Sequence, residues 1–279
     1  MPYQLVQDIF IYESSIWQTN SSVIINETAN VVIDPCYFPV EIQVMADFVN
    51  RKKSFNRYVI FTHSDFDHIV GHQHFKGARL IGHESITTAD REAQLAQLEE
   101  IDQTYYVRRK TPFIFPELEV TFEKELRIPL KEDELLLHHA PGHTGDSIFI
   151  VSPGKKVMFA GDYLSDLEFP FVYFSVGAYR KSLDLAARLV EDFDVEYVVP
   201  GHGEIAGGKE EIFYRIDSDK VYLDTLSEQA RELTLQGLQE CEIMEVLKDI
   251  KYRGEAIEGA MARMHSDNIR QVLTEMQGR

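Results

Sequence analysis

Four side chains able to hold a metal ion fall within six positions: His63, Asp65, Asp67 and His68, in the run Thr62-His63-Ser64-Asp65-Phe66-Asp67-His68. They directly follow Tyr58–Phe61, a short apolar run of the buried-strand type. Ile69 and Val70 resume an apolar face, so helix geometry is expected from near Asp67. A strand end followed by a tight turn aims His63 and Asp65 one way and Asp67 and His68 into an adjacent space. Burying so many polar groups without a cation is costly, and a divalent ion removes that cost.

Three further signals of the same kind lie downstream. Pro141-Gly142-His143-Thr144-Gly145 places a histidine on a glycine-rich turn after a strand-like run. Phe159-Ala160-Gly161-Asp162 ends a strand-like run on an aspartate, and Val199-Pro200-Gly201-His202-Gly203 ends another on a histidine. Glycine beside each ligand permits the sharp backbone turn that aims a side chain at a metal.

The rest of the chain supplies a frame. Strands are expected at Phe10–Tyr12, Ser22–Ile25, Val31–Ile33, Tyr58–Phe61, near Leu80, and at Leu118–Phe122, Glu134–His139, Ser147–Val151, Lys156–Ala160 and Glu196–Val199. Helical periods run over Pro39–Val49 and Tyr179–Asp192, and polar 85–110 reads as an exposed helix or lid. After Gly208 no β-like run is found. Residues 209–236, 241–250 and 255–277 read as helices, with Leu223, Leu226, Ala230 and Leu233 on one face. The expected division is therefore a catalytic domain over 1–208 and a helical extension over 209–279. Two β-rich halves, each bringing helices, fit two stacked sheets with helices outside.

In four motifs and their order, residues 5–208 resemble the metallo-β-lactamase superfamily. The resemblance implies an αββα sandwich and two metal ions in a cleft at a sheet edge. Carried over residue by residue, His63, Asp65 and His143 bind the first metal, Asp67, His68 and His202 the second, and Asp162 bridges both. Family members usually read His-x-His-x-Asp-His, and here the second histidine is Asp65. A carboxylate still coordinates, but its hard oxygen favours Mn²⁺ or Fe²⁺ more than an imidazole does. Zn²⁺ remains the first choice of metal. Three aspartates and a bridging hydroxide balance two divalent ions. A water shared by the metals would be acidified to a pKa near ~7, and Asp67 is the candidate to orient it as the catalytic carboxylate.

These features point to hydrolysis of a small ester, thioester or lactone. The alternative that Asp65 keeps open is an iron-dependent oxidoreductase of the persulfide dioxygenase or diiron kind. The aromatic loop 168–174 offers candidate substrate contacts in Phe169 and Tyr173, with Tyr163 just before it. His72 and His74 read as half-exposed structural residues, His83 and His265 as structural, and His138 and His139 as pointing to opposite faces of one strand. The formal net charge of −18 argues against a nucleic-acid partner. No stretch has the ~18 apolar residues of a membrane span, and the first residues do not read as a secretory signal. Cys36 and Cys241 read as reduced thiols, so a cytoplasmic location is expected. A small molecule is the expected partner, and a homodimer contact is one use of the helical tail.

Overall fold

Several strands carry apolar runs of three or more consecutive residues, which only a strand covered on both faces can afford. In the computed structural model, which describes residues 2–278, these strands form the middle of two stacked sheets. The first sheet joins β1 (Tyr3–Val6), β2 (Ile9–Glu13), β3 (Asn20–Ile25), β4 (Ala29–Ile33), β5 (Asn56–Ile60), β6 (Arg79–His83) and β7 (Val120–Phe122), in that order. α1 (Pro39–Asn50), α2 (Phe66–Ile69) and α3 (Arg91–Thr104) belong to this half. The second sheet holds β8 (Glu125–Leu130), β9 (Asp133–His139), β10 (Ile148–Ser152), β11 (Val157–Gly161), β12 (Tyr197–Pro200) and β13 (Ala206–Gly207). α4 (Val176–Asp192) precedes β12, and α5 (Lys209–Leu235), α6 (Glu240–Leu247) and α7 (Ala260–Met276) follow β13.

The alternation of buried side chains divides the core into three layers. Ala29, Val31 and Ile33 of β4 meet Leu135, Ile150 and Phe159 between the sheets. Val32, from the other face of β4, packs under α1 with Ile42 and Met45. Met158 and Ala160 of β11 face outward into a third cluster shared with α4, α5 and α7, through Leu183, Leu223 and Ile269. Leu226 and Ala230 are buried there and Leu233 half-buried. The order of layers is helix, sheet, sheet, helix, and the C-terminal helices share the outer core of the second sheet.

The structure corrects the expected elements in several places. Residues 251–256 form a small hairpin, β14 (Lys251–Tyr252) with β15 (Glu255–Ala256), where helices were expected up to 250 and from 255. Its turn sets Arg253 and Gly254 at φ 51° and 84°, the left-handed pair that a two-residue hairpin needs. α7 consequently starts only at Ala260. β1 and β8 were not expected from the pattern. Both are edge strands in the sheet orders, and β8 carries Pro129, which an edge tolerates. His72 is buried, with Nδ1 2.9 Å from the carbonyl of Ile69 and its ring between Phe61 and Phe113. His74 is exposed.

Candidate metal centre

The seven expected ligands come from five places in the chain and meet at one edge of the sandwich. His63 follows β5, Asp65 stands at the N-cap position of α2, and Asp67 and His68 lie within it. His143 follows β9, Asp162 ends β11 and His202 ends β12. His63, Asp65, His143 and Asp162 form one group, and Asp67, His68 and His202 another. Within each group the donor atoms lie within 4.8 Å of one another. Asp162 faces both: Oδ2 is 3.5 Å from His63 Nε2 and 3.4 Å from His143 Nε2, while Oδ1 is 3.1 Å from His68 Nε2. His202 Nε2 lies 3.4 Å from Asp162 Oδ2 and 3.4 Å from Asp67 Oδ2.

All four histidines present the same nitrogen. Nδ1 of His68 is 3.1 Å from Asp34 Oδ2, that of His143 is 2.9 Å from the Phe171 carbonyl, and that of His202 is 3.1 Å from the Trp17 carbonyl. His63 Nδ1 sits 3.0 Å from Thr62 Oγ1, whose own proton goes to Asp34 at 2.5 Å. Each Nδ1–H is therefore donated outward, which leaves each Nε2 lone pair aimed inward. Ligating histidines are held in this way in metalloproteins. Three buried polar atoms of the centre, His63 Nε2, His143 Nε2 and Asp162 Oδ1, have no hydrogen-bond partner. Orphaned buried groups are costly, and a divalent ion satisfies all three. The donor set fits metal.

Electrostatics agree. Burial alone would push His143 and His202 down, yet the carboxylates of Asp65 and Asp162 lift His143 to about 9. Asp162, with Glu168 and Asp67, lifts His202 to about 10. Burial would raise Asp65, but the His143 and His63 imidazoles hold it at about 2. Without a metal the cluster thus draws protons as counter-charge to its aspartates.

Gly201 packs against this cluster: a Cβ there would lie 2.0 Å from Asp162 Oδ1 and 2.9 Å from His68 Cε1. Its role is absence of volume. The expected sharp turns are present at Gly161 and Gly203, at φ 57° and 91°, beside Asp162 and His202.

The expected substrate contacts are placed unequally. Tyr173 is half-exposed, with its ring 5.1 Å from that of His143. Tyr163 is buried, and its hydroxyl donates to the Ala140 carbonyl at 2.8 Å and accepts from the His143 amide at 3.0 Å. It braces the His143 turn and is closed to solvent. Phe169 is buried against Tyr222, Tyr252 and His265. It also borders a small, water-sized cavity lined by Asp162, Glu168 and Asp219. His138 pairs with Glu125, and His139 stacks on His83 at 3.6 Å.

Other residues at the centre were not singled out from the sequence. Asp34 and Thr62 fix two of the histidine tautomers. Trp17 is 38% exposed and its ring lies 6.5 Å from that of His202. Trp17 and Gln18 adopt φ of 50° and 47°, uncommon for side-chain-bearing residues. This turn aims the Trp17 carbonyl at His202 and the Gln18 carbonyl at the Gly203 amide. Glu168 is pushed up by burial, with His202 and His143 opposing and the Asp162 and Asp67 charges adding. Only Asp34, an aspartate closing an apolar strand, left a readable signal.

Residues 15–202, about two thirds of the chain, match the metallo-beta-lactamase superfamily. The chain belongs to that superfamily. A relative from Gallus gallus, acyl-coenzyme A thioesterase MBLAC2, is 28% identical over 171 residues, which are 58% of this chain and 61% of the relative. The chain thus spans about three fifths of that relative's length. In fold, it is similar to the sec-alkylsulfatase Pisa1 from Pseudomonas sp. (TM-score 0.75, 16% identity, 99% of this chain and 50% of that one). It is also similar to a metallo-beta-lactamase family protein from Thermus thermophilus (TM-score 0.67, 15% identity, 98% and 95% covered). Among the described residues no helix is long and apolar enough to cross a membrane.

Proposed function

We propose that this chain is a dinuclear metal-dependent hydrolase of small acyl compounds, with a thioester as its first substrate class and lactones or simple esters as the next. The observation that carries the reading is Asp162, whose carboxylate lies within 3.1–3.5 Å of imidazole nitrogens from both donor groups. His63, Asp65 and His143 would hold one metal, Asp67, His68 and His202 the other, with Asp162 shared. The bound pair would supply an acidified water and a polarised acyl carbonyl. Asp67 would accept a hydrogen bond from that water and orient it. Tyr173 and Trp17 form the two walls of the cleft against which an apolar acyl group can lie. The thioester takes first place because the thioesterase relative supports it.

Zn²⁺ is the expected metal by intrinsic affinity, and the Asp65 oxygen improves the standing of Fe²⁺ and Mn²⁺. The test is metal stoichiometry by elemental analysis, followed by a hydrolysis screen of short acyl-coenzyme A thioesters, lactones and sec-alkyl sulfates. Two metals per chain and thioester cleavage that disappears in Asp162→Ala are expected. No metal uptake, or full activity in Asp162→Ala, overturns the reading. Oxygen consumption by the iron-loaded chain without any hydrolysis would put an oxidoreductase in its place.

A further inference from the structure

Asp65 is the residue at which this chain departs from its family, and it stands at the N-cap position of α2. An aspartate there ordinarily folds its carboxylate back onto the free amides of its own helix, which is what makes Asp a favoured cap. Here it does not: no cap hydrogen bond from the Asp65 side chain forms. Its Oδ2 points into the centre instead, 3.4 Å from His143 Nε2 and 3.7 Å from His63 Nε2.

The side chain that makes this arrangement hold comes from α3. Gln94 accepts a hydrogen bond from the Phe66 amide at 2.7 Å and donates one to Asp65 Oδ1 at 3.1 Å. The two bonds fix the amide's orientation, since the Phe66 N–H can only donate and must meet the Gln94 oxygen. Gln94 therefore does two jobs at one turn. It satisfies the first orphan amide of α2, one that an N-cap side chain does not reach, and it ties down one Asp65 oxygen so that only the other can reach the centre. A carboxylate held this way offers a single donor atom, as the imidazole usual at this position does.

α3 is itself anchored for this task. Gln94, Leu95, Leu98, Ile101 and Asp102 lie on its covered side. At its far end Asp102 accepts a hydrogen bond from the Tyr37 hydroxyl at 2.8 Å and pairs with Arg109 at 2.7 Å.

We infer that Gln94 is the positioning residue that converts Asp65 from a helix cap into a one-oxygen metal donor. The inference rests on the dinuclear reading above. Without Gln94, the Asp65 carboxylate swings back to cap α2 and leaves the first metal position one donor short.

The test uses the full chain and Zn²⁺ alone, titrated against a chromophoric chelator. Gln94→Met keeps the length and packing of the side chain and removes both hydrogen bonds. Outer partners of metal ligands typically change affinity by about 10–100-fold. A loss of that size at one of two Zn²⁺ positions is expected, with the other unchanged and the melting curve of the metal-free protein close to wild type. In an Asp65→Ala background the same substitution should change nothing further, because the donor it positions is gone. Wild-type affinity at both positions in Gln94→Met overturns the inference while leaving the dinuclear reading intact. So does a loss that persists undiminished in the Asp65→Ala background, which would make Gln94 a general support of α3. A wild-type chain that takes up no Zn²⁺ overturns both.

Discussion

Asp34→Asn isolates how far the centre depends on a residue that never touches a metal position. The Asp34 carboxylate is buried, and its Oδ1 accepts the Thr62 amide at 2.7 Å. Its Oδ2 accepts both the Thr62 hydroxyl at 2.5 Å and His68 Nδ1–H at 3.1 Å. A backbone amide cannot reverse its role, so an asparagine must keep its oxygen toward Thr62 N–H. Its NH₂ then falls where Oδ2 was and faces His68 Nδ1, which can only accept. The His68 proton moves to Nε2, the atom that should carry a lone pair into the second group. The Thr62 hydroxyl must now accept as well, and its proton swings toward His63 Nδ1 at 3.0 Å. The disturbance thereby reaches the first group. An outer partner of this kind is worth about 10–100-fold in metal affinity, or about 1.4–2.8 kcal/mol at 1.4 kcal/mol per tenfold. The assay is Zn²⁺ competition with a chelator, paired with nitrogen chemical shifts of the imidazoles, which report the tautomer. Unchanged affinity at both positions, or His68 still protonated on Nδ1 in the variant, would overturn this account of the tautomers.

Three other outcomes are expected. Gly201→Ala should lose metal binding and activity together, because its Cβ would sit 2.0 Å from Asp162 Oδ1, and elemental analysis of the purified variant checks this. In the metal-free protein His143 and His202 titrate at about 9 and about 10, above the ~6.5 of an unfolded chain. The stability they contribute is then full below pH ~6.5 and is lost as pH rises through 9 to 10. The metal-free protein should melt lower at pH 10 than at pH 7, and Zn²⁺ uptake at pH 7 should release protons, which calorimetry in two buffers of different ionisation enthalpy measures. Asn268→Ala strips a buried amide that accepts from Val172 N at 2.9 Å and donates to the Pro170 carbonyl at 2.6 Å. It should cost about 1–3 kcal/mol of stability in denaturant unfolding and loosen the loop that holds His143 through Phe171.

What could be read from the chain follows from which interactions are local. Strands covered on both faces leave uninterrupted apolar runs, so β4, β5, β10 and β11 stand out, and the ligands at their ends stand out with them. Edge strands leave weaker marks: β1 alternates little, and β8 is interrupted by Pro129. The 251–256 hairpin depends on two left-handed residues, Arg253 and Gly254, and only the glycine announces such a turn. Tyr163 and Phe169 were expected as substrate contacts because they neighbour Asp162 in the chain, but their side chains turn into the core. Adjacency in sequence carries no side-chain direction once regular structure ends.

Apart from the strand-ending Asp34, the supports of the centre are invisible from the chain for a different reason: each acts across a long separation on a ligand whose own motif looks complete without it. Gln94 reaches Asp65 over 29 positions, Asp34 reaches His68 over 34, and the Trp17 carbonyl reaches His202 over 185. Asn268 holds the 170–172 segment over 96 to 98 positions, and that segment supplies the carbonyl that orients His143. None of these partners is required by the chemistry of metal binding to be a particular residue type, since a carbonyl, a carboxylate or an amide can each take an imidazole proton. Ligand identity is constrained by the metal and so leaves a motif. The supports are constrained only by geometry that the fold creates, and α3 and α7 are the elements that deliver two of them. The helical region after Gly208 is therefore tied to the centre through α7 and the aromatic loop, and changes in its packing should be felt first at His143.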